Sequence, residues 1–189
     1  MKEKILTKTI STAKILKGKR IFLRPPTLED FAELTTLYKT NLKFHRGRVQ
    51  PKTSREGFEK YVAQSERAEN EFFLICLNGN GAIAGTRNLS QIFTGNFRSA
   101  YLGYLLGESY AGKGFMSEAV GLTLKFAFKI LKLHRIEANV QPENIASINV
   151  LRRAGFSNEG FSPKYLKING RWRDHERWAI IVDDWRKRK

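Results

Sequence analysis

A single cysteine, Cys76, occurs in 189 residues, which excludes an internal disulfide framework. No apolar run approaches the ~18 residues of a membrane-crossing helix. The basic N-terminal stretch MKEKILTKTISTAKILKGKR carries its apolar residues in ones and twos. It lacks the ~7–15-residue apolar core of a secretion signal. These absences make a reducing cytoplasm the expected location, without a membrane partner. Proline and glycine number 5 and 15 and are spread along the chain, so no linker divides it, and no internal repeat is visible. With 41% hydrophobic residues the chain suffices for one full domain. We expect residues 1–17 to be a basic tail and 18–189 the domain. Acid is scarce: 18 Asp and Glu face 34 Lys and Arg, a formal charge of +16. That balance suits contact with nucleic acid, an anionic membrane or a polyanionic cofactor. The basic clusters are not interleaved with aromatics as single-strand binding surfaces are, so charge alone does not define a nucleic-acid-binding protein.

What is present reads as alternating strands and helices. Arg20–Arg24 is a strand stopped by Pro25-Pro26, and Thr27 with Asp30 opens a helix through a near capping box. Residues 41–51 form a loop rich in Lys, Arg and His. Ser54 caps a second helix with Phe58, Tyr61 and Val62 inward. Three strands follow, at residues 72–77, 83–93 and 99–106, with turn signals at Asn78–Gly81 and Gly95-Asn96. A long helix carries Met116, Ala119, Val120, Thr123, Leu124, Ala127, Phe128 and Leu131 on one face. Then come a half-buried strand at 135–140, a helix capped by Asn144 and closed by Gly155, and two strands at about 160–168 and 174–182 joined by Asn169-Gly170. The order gives an α/β (α+β) fold: one mixed, mostly antiparallel sheet of about seven strands with helices on both faces.

The chain is organised around Tyr101–Leu131, where a strand leads through a glycine elbow, Gly112-Lys113-Gly114, into the long helix. A helix N-terminus there presents unpaired N–H groups to an anion, so a phosphate-bearing ligand is the first hypothesis. Gly107 to Lys113 matches the G-x-x-x-x-G-K of a nucleotide-binding P-loop. Gly114, however, stands where that motif needs Ser or Thr for magnesium, and the preceding β-meander is foreign to such domains.

The same stretch resembles the acyl-CoA-binding motif of the GNAT N-acetyltransferase superfamily, Q/R-x-x-G-x-G/A, on Ala111-Gly112-Lys113-Gly114-Phe115-Met116. Gly114 matches; Ala111 and Met116 depart from the pattern. Gly18–Pro25, Asn144-x-x-Ser147, Leu151-x-x-x-Gly155-Phe156 and Gly170-x-Trp172-Arg173-Asp174-His175 follow the same family order. Together they are similar to the branch that holds the ribosomal-protein-alanine N-acetyltransferases, over roughly residues 18–185. The resemblance implies a single GNAT-like domain with its sheet splayed at the Leu106/Val140 pair, and transfer of acetyl from acetyl-CoA, as co-substrate and without metal, to a primary amine. Backbone groups of Leu105 and Leu106 would hold the pantetheine arm. Gly112, Lys113, Gly114, Phe115, Met116 and Ser117 would hold the pyrophosphate, and Asn144 would complete the cofactor site. Many members carry a general-acid Tyr seven residues after the Asn, where this chain has Leu151. Ser147 then becomes the candidate general acid. Lys164 stands where relatives can carry a basic carboxylate. Glu108, Asp174, His175 and Glu176 are candidates for the base, and none is selected.

Cys76, within an apolar strand, reads as core, and the three histidines are too scattered for a metal site. Loop 43–48 lines the acceptor entrance, meets the adenosine 3′-phosphate or is simply solvated. The leading acceptor is a protein N-terminus, ribosomal by resemblance, with proximity to ribosome or RNA suggested by the charge. A small amine (polyamine, amino sugar or antibiotic) is the enzymatic alternative, and a non-catalytic ribosome- or RNA-binding factor is the other.

Overall fold

In the computed structural model, residues 15–48, 51 and 53–188 are described. Among them, eight strands form one sheet: β1 (Leu16–Lys17), β2 (Ile21–Arg24), β3 (Glu71–Leu77), β4 (Ile83–Phe93), β5 (Ser99–Leu106), β6 (Arg135–Val140), β7 (Ser157–Ile168) and β8 (Arg171–Ile181). Their order is β1-β2-β3-β4-β5-β6-β8-β7. Five α-helices accompany them: α1 (Phe31–Thr40), α2 (Arg55–Ser65), α3 (Phe115–Lys129), α4 (Ile145–Ala154) and α5 (Val182–Lys187). The expected fold is present, with two additions. The two-residue strand β1 lies on the stretch expected as tail and pairs with β2; residues 1–14 of that stretch lie outside the described residues. The short helix α5 seats Trp185 against Phe128 of α3 with ring centroids 5.3 Å apart.

β3 explains why helices cover both faces. Phe73 and Ile75 join the core built on α3 and α4, whereas Leu74 and Cys76 join a second core built on α1 and α2. A strand buried on both faces is continuously apolar rather than alternating, which is how Phe72–Leu77 reads. Each fully buried large side chain there contributes about 1.5–3 kcal/mol of transfer free energy. Thr27 opens a single 3-10 turn, Leu28–Asp30, before α1 begins, and its N–H donates to Asp30 Oδ2 at 2.8 Å. Ser54 Oγ accepts from Gly57 N at 3.2 Å and starts α2.

The feature that positions the site is the one parallel pair. β5 and β6 are in register only at Ser99–Tyr101 with Arg135–Glu137. Beyond Tyr101, β5 pairs with β4 alone, and beyond Glu137, β6 pairs with β8 alone. The sheet therefore opens as a V well before Leu106 and Val140. Residues 41–48 cross this opening and are tied to both arms. His45 bonds Leu106 O at 3.1 Å, Gln141 Nε2 donates to Gly47 O at 3.2 Å, and Asn169 Nδ2 donates to Arg48 O at 3.2 Å.

Candidate functional site

The glycine elbow closes the β5 arm of the V. Gly112 and Gly114 have φ of +73° and +80°, the left-handed region that glycine enters without steric cost. Gly114 caps α3, so the N–H groups of the helix's first turn have no acceptor within the helix and face outward. Ala111 brings no charge to this loop, but Arg20, from the start of β2, does. Its Nη1 donates to Lys113 O at 2.8 Å, and its guanidinium lies 4.8 Å from the centre of the Phe115 ring. Glu118 fixes Arg20 in turn, accepting from the Arg20 N–H at 2.9 Å and from Nε at 3.1 Å. Burial alone would raise the Glu118 pKa; hydrogen bonds from Arg20 outweigh it and hold the carboxylate below its usual value.

From the elbow a cavity of about 500 Å³ runs into the V. Its wall brings together Leu105, Leu106, Gly112, Gly114, Met116, Ser117, Asn144 and Ser147, along with Arg153 of α4. Lys113 and Phe115 lie outside that wall, Lys113 offering its carbonyl to Arg20 and Phe115 packing edge-on against Tyr110. A second cavity of about 620 Å³ opens on the α1/α2 side of the sheet. The two share His45, Arg48, Tyr104, Leu105, Asn144 and Ser147, so they adjoin at these residues and together make up the channel.

At the junction, the Asn144 side chain accepts from Ser147 N at 3.3 Å. This cap fixes where α4 starts and holds Ser147 on its inner first turn. Ser147 Oγ lies 2.6 Å from the Tyr104 hydroxyl, whose pKa burial pushes up to about 12. On the strap formed by residues 41–48, His45 is buried, and a carbonyl can only accept, so its Nε2 carries the hydrogen given to Leu106 O. Burial holds the His45 pKa below its ordinary value. Arg48 acts in the same direction, while the Leu106 carbonyl and Glu108 act against it. In the sequence Tyr104 is legible as the start of the donor-holding stretch 104–117 but not as a partner of Ser147, and Arg20 and His45 are legible only as parts of a strand and a basic loop.

The second cavity is lined by Tyr38, Tyr61, Thr86, Asn88, Gln141 and His175 and by the cations Arg48 and Lys60. Among the described residues, no carboxylate lies in its wall. Lys60 pairs with the exposed Glu56 one turn away, and the Arg48 guanidinium lies 5.8 Å from the Phe44 ring centre. Of the candidate bases, only His175 reaches this wall, with Nδ1 3.0 Å from Arg173 O. Asp174 accepts from Lys164 N at 2.7 Å, and Glu176 accepts from Trp178 Nε1 at 2.8 Å. The Glu108 backbone N–H donates to Asn41 Oδ1 at 2.6 Å. Cys76 is buried in the α1/α2 core, its thiol pushed up to about 11 by burial.

The model of the acetyltransferase (GNAT) domain matches residues 20–157. The chain is 40% identical over 178 residues to a probable N-acetyltransferase, YjcK, of Bacillus subtilis, covering 90% of this chain and 98% of that protein. It is 41% identical over 103 residues to the [ribosomal protein uS5]-alanine N-acetyltransferase of Escherichia coli, 54% of this chain and 53% of the relative. The crystal structure of ribosomal-protein-S5-alanine acetyltransferase from Vibrio fischeri superposes with a TM-score of 0.79 at 31% identity, covering 90% and 98% of the two chains. RimJ of Mycobacterium smegmatis, solved with CoA-disulfide, superposes with a TM-score of 0.79 at 29% identity over 89% of this chain and 85% of its own. A spermidine N(1)-acetyltransferase of Vibrio cholerae is 33% identical over 84 residues, 44% of this chain and 49% of its own.

Proposed function

We propose an acceptor from a firm premise: this chain belongs to the acetyltransferase (GNAT) family and is an N-acetyltransferase of that type, whose fold uses acetyl-CoA. The proposed acceptor is the α-amine of a protein N-terminus, ribosomal by kinship, acetylated directly in the cytoplasm. The observation that carries this reading is the charge of the second cavity, whose described wall holds Arg48 and Lys60 and no carboxylate. A polyamine brings several positive charges that such a wall repels. A lysine-like amine, with a pKa of ~10.4, would also arrive protonated and need a strong base. An N-terminal α-amine titrates at ~7.7–8.0 and is partly neutral without one. A peptide with acidic side chains beyond its first residue would suit the two cations.

In this reading the elbow amides of residues 112–117 and Arg20 hold the pyrophosphate. Backbone groups of Leu105 and Leu106 align the pantetheine arm along the parted edge of β5, beside the bond His45 makes to Leu106 O. One main-chain N–H of that edge faces the thioester oxygen as it gains charge. The neutral amine enters from the second cavity and attacks the carbonyl carbon. As the C–S bond breaks, the sulfur receives a proton from Ser147, and the ammonium formed by attack loses its proton to water in the channel.

Thiol release from acetyl-CoA tests the acceptor, with alanine-led hexapeptides, neutral or acidic from the third residue on, against spermidine. We expect kcat/KM for the acidic peptide to exceed that for spermidine at least tenfold. Preference for spermidine would overturn the N-terminal reading and favour the small-amine one.

A further inference from the structure

The acid side of the reaction rests, in the reading above, on one serine, and a lone serine hydroxyl is a poor proton donor. Two elements remote in sequence supply it with a partner. Tyr104 of β5 and Ser147 of α4 stand 43 residues apart in the chain, and their oxygens are 2.6 Å apart where the two cavities join. Leu151 occupies the position from which a helix-borne tyrosine would otherwise reach the same place, and it is fully buried. We propose that Tyr104 is a positioning residue for the leaving group: it donates its phenolic hydrogen to Ser147 Oγ and so turns the serine hydrogen toward the thioester sulfur.

Either hydroxyl can donate across this contact, and the proposed direction, from phenol to serine, is the one that leaves the serine hydrogen free. The nearest other acceptor for the phenol is Ser147 O, at 3.4 Å, a carbonyl inside α4 and a much longer contact. With Tyr104 as donor, Ser147 Oγ uses a lone pair on the phenol, and its own hydrogen is free to point into the channel. The reverse direction would spend that hydrogen on Tyr104 and leave the sulfur without a donor. Burial keeps the phenol protonated across the working pH range, so Tyr104 acts as a fixed donor and is not itself the proton source. A hydroxyl that accepts one hydrogen bond donates a stronger one. When the C–S bond breaks, its electron pair stays on sulfur and Ser147 hands over its hydrogen. Ser147 Oγ is then reprotonated, through water, by the proton the attacking nitrogen sheds. Thioester and amine become amide and thiol with no proton gained or lost overall.

This inference rests on Ser147 as the acid, and a double-mutant cycle separates the two. Glycinamide is the acceptor probe, small enough to need little from the acceptor wall, and acetyl-CoA the donor. Ser147→Ala should lower kcat by ten- to a hundredfold with KM for acetyl-CoA within about twofold. Tyr104→Phe keeps the ring and removes one oxygen; it should lower kcat about tenfold, again with little change in KM. The double variant should be no slower than Ser147→Ala alone, because the phenol works only through the serine. Losses that multiply would overturn the proposal, as would a silent Tyr104→Phe beside an impaired Ser147→Ala; in both cases Ser147 as the acid survives. A silent Ser147→Ala would remove the acid assignment and the proposal together. Titration of each variant with CoA distinguishes a misfolded protein from a slow one: unchanged affinity marks a site still assembled.

Discussion

The two ends of the channel are built on different principles. The donor end is built mainly on one continuous stretch, in which β5, the elbow and the first turn of α3 span residues 99–117, with Arg20 and α4 added from elsewhere. On the proposed reading, its affinity for phosphate comes from main-chain N–H groups, with side chains in support. The acceptor end is discontinuous. Its wall takes Tyr38 from α1, His45 and Arg48 from the strap, Lys60 and Tyr61 from α2, Asn88 from β4 and His175 from β8. The family match, at residues 20–157, ends where β7 begins, so the β7–β8 hairpin that brings His175 lies outside it. A backbone site tolerates side-chain change as long as the conformation is kept. A side-chain site changes its preference one substitution at a time. The first kind preserves a reaction; the second lets a shared reaction serve different amines.

The contrast can be broken most severely at Gly114. A glutamate there must adopt a φ near +80°, and its Cβ would meet Arg20 Nη2 at 3.1 Å. Its carboxylate would also face the phosphates. We expect Gly114→Glu to weaken CoA binding at least a hundredfold, about 2.7 kcal/mol, as measured by calorimetric titration. Circular dichroism should stay near wild type, with the backbone strain costing only about 1–2 kcal/mol of stability. Unchanged CoA affinity would remove the pyrophosphate from the elbow.

A milder test sharpens the acceptor side. Arg48→Glu places a carboxylate in a wall that has none among the described residues. The ratio of kcat/KM for spermidine over the acidic peptide should rise about tenfold or more, from Coulomb terms of ~1–2 kcal/mol in a partly solvated cleft. Because Arg48 also lines the first cavity, CoA affinity measured in parallel separates an effect on the donor from one on the amine. A ratio that stays put would mean that wall charge does not choose the amine.

The smallest effect concerns the strap. The folded pKa of His45 lies below its unfolded value, so between the two the unfolded chain binds the extra proton. Stability contributed by neutral His45 is therefore present above pH ~6.5 and lost as pH falls below it. Arg48 and Glu108 face the ring with opposite charges and set the size of the effect. Melting temperature should fall between pH 7 and 5 by a few °C more in the wild type than in His45→Gln. Parallel curves for the two proteins would show that the strap does not depend on a neutral ring.

Both ends were unequally legible beforehand. The elbow residues could be named because a helix N-terminus after two glycines has the same physics in any fold. Asn144 could be named as a cap because capping acts over three residues. Arg20 could not be placed from its own neighbourhood: nothing in Arg20–Arg24 says that β2 starts beside a loop more than ninety residues later. It brings a guanidinium, itself paired with Glu118, to the Lys113 carbonyl of that loop. Tyr104 was equally hidden. β5 could be read as a strand, but its partner across the channel depends on where α4 packs.

What the sequence determined alone, then, is what acts over a few residues. It specified the strand and helix periods, the caps at Ser54 and Asn144, the left-handed glycines of the elbow and the overall excess of positive charge. Only the tertiary structure decided where that charge falls, which hydroxyls meet at 2.6 Å and which residues share the acceptor wall. The reason is physical: hydrogen bonds and Coulomb forces that define a site act over a few ångströms of space. The parting of β5 from β6, and the strap across it, bring those ångströms together from residues tens of positions apart.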